Sequence, residues 1–168
     1  MNRLYALTLW PEWIWAIAHL GKDVENRSWR PPPAFVGRQV ALHAGMTIGG
    51  RDLDEASALR LVVEMAELAG WRRACHALVR DDVRRGRVEV PLPSASCPPT
   101  RCAVVAVATL GEPTRTSCSP WAVPGRWHWP LLEVRVLPRP VRVRGRQGLW
   151  ALADADVSEV LGQVRGAA

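Results

Sequence analysis

Lysine is nearly missing from this chain: Lys22 stands alone against twenty-one arginines. The composition is rich in Ala, Arg, Gly, Pro and Val, as a GC-rich coding region produces, and such a bias turns most lysines into arginines. Tyrosine and phenylalanine occur once each, against nine tryptophans. Cysteine is sparse. Cys75, Cys97, Cys102 and Cys118 form no CxxC pair, and no histidine lies at finger-like spacing from them. That pattern argues against a structural zinc site and leaves buried or incidental thiols. No metal or other cofactor is implied. No stretch approaches the ~20 apolar residues of a membrane span. The N-terminus meets charge too soon for a secretory signal. The expected setting is the cytoplasm, away from membranes.

What is present is enough for one domain over residues 1–168, with 48% hydrophobic residues to form its core. A net charge of +6 and a pI near 10.1 favour an anionic partner, nucleic acid before a membrane surface. A basic but inert surface is the bland alternative. The single amine matters because a buried lysine can lose its proton and act as base or nucleophile, whereas arginine stays charged. Lys22 opens a dense polar cluster, Lys22-Asp23-Val24-Glu25-Asn26-Arg27-Ser28-Trp29, just after an apolar stretch.

Residues 3–9 suit a strand. Pro11 then opens a helix with Trp13, Ile14, Ile17 and Ala18 at helical spacing, and Gly21 stops it. Lys22–Trp29 reads as a strand that Pro31-Pro32-Pro33 cannot continue. Residues 37–45 read as a strand entering a tight turn. A helix is expected over 52–70, with Asp52 and Glu55 as a capping box, and a second over 71–84. Together they make a helical insertion at about 51–86. Residues 91–100 read as a loop, and the apolar run Cys102–Leu110 as a buried strand. Residues 111–126 are turn-rich. Two strands, 131–137 and 140–144, a Gly-containing turn at 145–150 and a final helix at 156–164 complete the chain. Strict β-α alternation is absent. The expected fold class is therefore mixed α+β, a small β-barrel of about six strands with flanking helices.

Four segments carry a family resemblance. They are Leu7-Thr8-Leu9 with Pro11–Ile17; Gly21-Lys22-Asp23-Val24-Glu25-Asn26-Arg27; Gly37 through His43-Ala44-Gly45; and Pro120-Trp121 through Trp127-His128-Trp129 to Gly148-Leu149-Trp150. In this order they resemble the ASCH domains of the PUA-like superfamily. The second segment looks like the family's GxKxxExR signature, with Lys22, Glu25 and Arg27 matching and Leu20 standing where the first glycine falls. The resemblance implies a PUA-like barrel with a cleft beside the signature strand, and a role in binding RNA or another nucleic acid. It also implies that some relatives hydrolyse modified cytidines and that at least one is a ribonuclease. In the deacylating members a threonine matches Glu25 and works with the lysine, so the glutamate here is a departure.

On a regular strand Glu25 and Arg27 share a face and Lys22 is out of phase, which puts Lys22 at the strand's entry on a cleft edge. Lys22→Ala would then cost no more than about 1 kcal/mol. In one reading the three charges simply stitch the barrel. In the other, Lys22 faces a phosphate or a reacting carbonyl, Glu25 accepts from a base amino group, and Arg27 binds phosphate or braces Glu25. Two neighbouring cations are expected to hold Glu25 ionised. Trp29 and Trp127 are core packing or base-stacking surfaces. His43 and His128 are internally satisfied or contact nucleic acid. Arg142, Arg144 and Arg146 alternate, so a strand would put them on one face as a basic stripe or a solvated sheet face. The leading expectation is a binding domain for RNA or single-stranded DNA, with a pocket for one nucleotide or small nucleoside, modified ones included. The alternative is a hydrolase of N-acylated cytidine, or a ribonuclease, with Lys22 and Glu25 as catalytic residues. A third is an interaction module with a vestigial pocket.

Overall fold

The computed structural model describes residues 3–47, 60 and 100–166. Apart from Arg60, the expected helices at 52–70 and 71–84 lie outside the described residues, as do their capping box and most of the 91–100 loop. Among the described residues six strands form one mixed sheet: β1 (Tyr5–Leu9), β2 (Val24–Arg27), β3 (Gln39–Ala44), β4 (Ala103–Leu110), β5 (Trp127–Arg142) and β6 (Leu149–Ala151). Their order is β2-β5-β4-β3-β1-β6. Only the β1–β3 pair is parallel. Helix α1 spans Pro11–His19, helix α2 spans Asp154–Gly166, and a 3₁₀ turn covers Pro33–Phe35.

The expected barrel is not closed. Strands β2 and β6 end the sheet and do not pair with each other. The sheet nevertheless curls, because Arg27 on β2 donates from Nη2 to the Thr8 carbonyl on β1 at 3.0 Å, although three strands separate them in the sheet. The result is a half-barrel with a seam between β2 and the end of β1.

Both faces of the sheet are covered. On one, Ile14 and Ile17 of α1 pack with Leu7, Leu9, Val40, Leu42, Leu110 and Trp129. On the other, Val157, Val160 and Val164 of α2 pack with Ala6, Ala41, Val104, Val107 and Trp150. A strand buried on both faces needs apolar residues at every position, which explains the unbroken run in β4.

β5 corrects the expectation of two strands. It runs sixteen residues through Pro130, Pro138 and Pro140. Two irregularities accommodate it. Between the pairs Thr109–Leu132 and Val107–Arg135, Glu133 and Val134 oppose Ala108 alone, with Glu133 at φ +50°, and between the pairs Ala106–Val136 and Val104–Val141 the four residues Leu137–Pro140 oppose Val105 alone. Pro138 and Pro140, without an N–H, therefore fall where the ladder to β4 is already interrupted, while Pro130 lies opposite Val24 of β2, just past the Leu110–Leu131 end of that ladder. The strand at Lys22–Trp29 is shorter than expected, and α2 is longer at both ends.

The close of α1 sets up the site. Leu20 and Lys22 both donate their N–H to the Ala16 carbonyl, at 2.9 and 3.2 Å, with Gly21 between them at φ +66°. The left-handed backbone at this stop favours a glycine at 21, not at 20. It also turns Lys22 back towards the helix it has just left.

Candidate functional site

Cross-strand pairing orders the signature strand. Glu25 lies opposite Trp129 and Arg27 opposite Trp127, while Asn26 lies opposite His128. Asn26 is held on the second face, donating to the Trp121 carbonyl at 2.9 Å and accepting from Val123 N–H at 2.9 Å. Glu25 and Arg27 thus share the face that looks into the seam. Arg27 Nε and Glu25 Oε1 are 2.8 Å apart.

Two connected hollows open there. One, of about 180 Å³, is lined by Thr8, Leu9, Trp10, Trp13, Glu25, Asn26 and Arg27. The other, of about 320 Å³, shares Thr8, Leu9, Trp10 and Arg27 and extends to Met46, Gln147 and Gly148. Arg27 therefore sits between two lobes of one cleft, with its carboxylate partner in the smaller.

Lys22 does not line either lobe. It is buried at 3% exposure, donates to the Val24 carbonyl, and lies 5.7 and 5.9 Å from the ring centroids of Trp13 and Trp121. Leu20, Val24, Trp15 and Trp121 form the surrounding apolar cluster. The expected cleft-edge lysine is thus an interior one, because the turn at Gly21 folds it back against Trp13 and Trp121. Burial pushes its pKa below the ordinary lysine value, and the charges of Glu25 and Asp23 oppose this.

Burial likewise pushes Glu25 above the ordinary carboxylate value, against the pull of Lys22 and Arg27. The shift runs opposite to the one the two neighbouring cations alone would produce. Desolvation is the larger effect.

His43 and His128 are both interior. His43 donates from Nε2 to the Val143 carbonyl at 3.0 Å, and its Nδ1 lies 3.3 Å from the Thr8 hydroxyl. Trp150 meets it edge-on at 5.6 Å and donates from Nε1 to the same hydroxyl. Burial lowers the His43 pKa, so the neutral imidazole fastens β1, β3 and the chain after β5. Gly145 lies so close to this ring that a Cβ there would overlap it. Gly145→Ala is expected to cost about 1–3 kcal/mol, read as a lower denaturant midpoint at unchanged m. His128 accepts from Ser117 N–H at Nδ1 and donates to the Val123 carbonyl at 2.8 Å, tying β5 to the 111–126 excursion.

Trp29 is exposed and meets Trp129 edge-on at 4.7 Å. Trp127 is half-buried beside it on the same face. Arg142, Arg144 and Arg146 are all exposed, but only Arg142 belongs to β5. The chain leaves the sheet after it so that Gly145 can pass over His43, and the expected single-face stripe becomes a basic loop. That loop leads into Gln147 and Gly148 of the larger lobe.

Trp10, Thr8, Gln147 and Gly148 are cleft residues the sequence reading missed. Trp10 carried a usable signal. It occupies the N-cap of α1, where small polar residues are preferred, makes no capping bond there, and is 47% exposed. Among the described residues no three His, Cys, Asp or Glu side chains converge as a metal site, and no helix is long and apolar enough to cross a membrane.

No protein-family model and no curated protein matches the sequence. The structure is similar to the crystal structure of ASCH from Zymomonas mobilis, with a TM-score of 0.50 and 13% identity over 94% of this chain and 93% of that one. The chain has an ASCH-like fold. At this identity the likeness extends to the fold, and the cleft must be argued from its own residues.

Proposed function

We propose that this is a binding domain for RNA or single-stranded DNA, with a cleft for one nucleotide, a modified base included. One observation carries the reading: a largely buried carboxylate–guanidinium pair lies on the floor of a cleft whose rim holds an exposed indole. Trp10 offers a stacking face. Glu25 offers acceptor oxygens to a base amino group, and Arg27 braces it. Arg144 and Arg146, beside the larger lobe, offer charge to phosphates.

The direct test is binding of short RNA and DNA strands across a salt series. Affinity is expected to fall with a log–log slope of roughly −0.7 per contacted phosphate. Removing Arg144 and Arg146 together should flatten that slope. Trp10→Ala should weaken binding by about 1–3 kcal/mol, the usual value of one base stack, and leave the melting temperature nearly unchanged because the ring is half in solvent. Salt-independent binding, or none at low salt, would remove this reading.

A second reading, hydrolysis of an N-acylated cytidine or of RNA, is favoured by the opposed displacements of Lys22 and Glu25 towards neutrality, which suit a proton-transfer pair. Against it, the Lys22 amine sits beneath Trp13 and Trp121 and off the cleft surface. Glu25 alone would meet substrate.

A further inference from the structure

Beyond the cleft, the paired ends of β2 and β5 carry a second constellation. Trp127 lies directly opposite Arg27, so its ring shares the cleft's face of the sheet. Two guanidinium groups lie over that ring: Arg115 at 5.4 Å and Arg30 at 5.7 Å from its centroid. They come from the 111–126 excursion and from the chain just after β2, so two separate segments converge on one indole. Trp29, 41% exposed, stands beside them against Trp129. Arg126, also exposed, directly precedes Trp127.

The charges are not neutralised. Arg30 pairs with Glu112 at 2.7 Å, but both side chains are more than half exposed. Such a pair contributes little and exchanges readily for another anion. Arg115 donates to the Gly125 carbonyl at 3.3 Å and keeps further N–H groups. It is exposed, and on the His128 side it borders an open hollow of about 330 Å³ lined by Ser117, Ser119 and Pro124, so an anion can reach it without displacing a protein segment. Half-exposed indoles beside fixed guanidiniums are the combination that holds unpaired bases and their phosphates at once.

We propose that a single strand entering the cleft continues across Trp127 and Trp29, with its backbone phosphates held by Arg30 and Arg115. This rests on the nucleotide reading of the cleft and narrows it: the ligand is a polymer of two or more nucleotides, and a free nucleoside occupies only part of the site.

The test compares the four nucleoside 5′-monophosphates with a mixed-sequence RNA hexamer. Binding is measured for the unaltered protein, the Arg30→Ala/Arg115→Ala double variant, Glu112→Gln, Trp10→Ala and Glu25→Gln. Folding of each is checked by circular dichroism. The double variant should lose on the order of tenfold or more in hexamer affinity. Its salt slope should flatten by roughly 0.7 for each phosphate released. Monophosphate binding should not change. Glu112→Gln, which removes the competing carboxylate, should tighten the hexamer alone. Hexamer binding that responds to Trp10→Ala and Glu25→Gln but not to the arginine pair would overturn the extended path and leave the cleft. Binding that responds to the arginine pair but not to the two cleft variants would keep the path and remove the cleft. A protein that binds no hexamer overturns both.

Discussion

Lys22→Arg is expected to lower the unfolding free energy by about 3 kcal/mol or more, the cost of forcing a larger, permanent charge into a closed, largely apolar interior. The amine occupies a space closed by Trp13, Trp121 and Leu20 and has the Val24 carbonyl as its hydrogen-bond partner. A lysine tolerates this because it can shed its proton, whereas a guanidinium cannot and is larger. Lys22→Ala removes the packed stem as well as the charge. Its cost should be about 2–4 kcal/mol from the cavity left among the tryptophans, well above the 1 kcal/mol limit for a cleft-edge residue. Lys22→Met keeps the volume and discards the charge, so it should be at least as stable as the native chain. Denaturant midpoints order the series: Met highest, Arg and Ala lowest. If Arg melts with the native protein, the amine is not enclosed.

The pH dependence gives an independent check. The folded-state pKa of Lys22 lies below its unfolded value of 10.5. Between those two values the unfolded chain binds more protons, so native stability should rise with pH across that window. No other lysine contributes to the curve. The difference between the native protein and Lys22→Met isolates the effect and should vanish above 10.5.

Much of the fold was legible because its signals are local. Pro11 opens α1, Gly21 closes it, and the run in β4 announces a strand covered on both faces. Along β5 the faces alternate as an extended strand requires: Trp129 faces the core beside α1, and His128 faces the excursion. What failed depends on contacts distant in sequence. The depth of Lys22 is set by Trp121, which arrives from another part of the chain. The continuity of β5 was hidden because prolines look like strand breaks, and only the pairing shows that Pro138 and Pro140 fall in a bulge against β4 and Pro130 beyond the end of that ladder. The strand expected at 140–144 ends at Arg142, where Gly145 must pass over His43, so Arg142, Arg144 and Arg146 do not share one strand face. The open seam follows from pairing, and periodicity does not report pairing. Within the site, Glu25 and Arg27 were placed on one face by parity alone. Trp10 was overlooked because an aromatic beside other tryptophans reads as core.

Glu25→Gln is expected to do two opposite things: weaken nucleotide binding by about tenfold or more and stabilise the fold by on the order of 1 kcal/mol at neutral pH. The fold disfavours the ionised carboxyl, since burial outweighs the attraction of Lys22 and Arg27. A neutral amide of the same shape escapes that penalty, and Arg27 retains its bond to the Thr8 carbonyl. The sign with pH follows. The folded-state pKa of Glu25 lies above its unfolded value of 4.5. Between them the folded protein binds more protons, so stability falls as pH rises through that window. The advantage of Glu25→Gln should grow over the same interval and disappear below 4.5. Recognition runs the other way. An ionised carboxylate is acceptor-only and suits a base amino group, so affinity through Glu25 should rise as pH rises through its folded-state pKa. Stability and affinity titrating in opposite directions at one midpoint, both lost in Glu25→Gln, is the signature of a recognition residue held at a cost to the fold. If instead Glu25→Gln binds nucleosides normally but abolishes a measurable turnover of N4-acetylcytidine, the raised carboxyl serves proton transfer, and the hydrolase reading takes the place of the binding one.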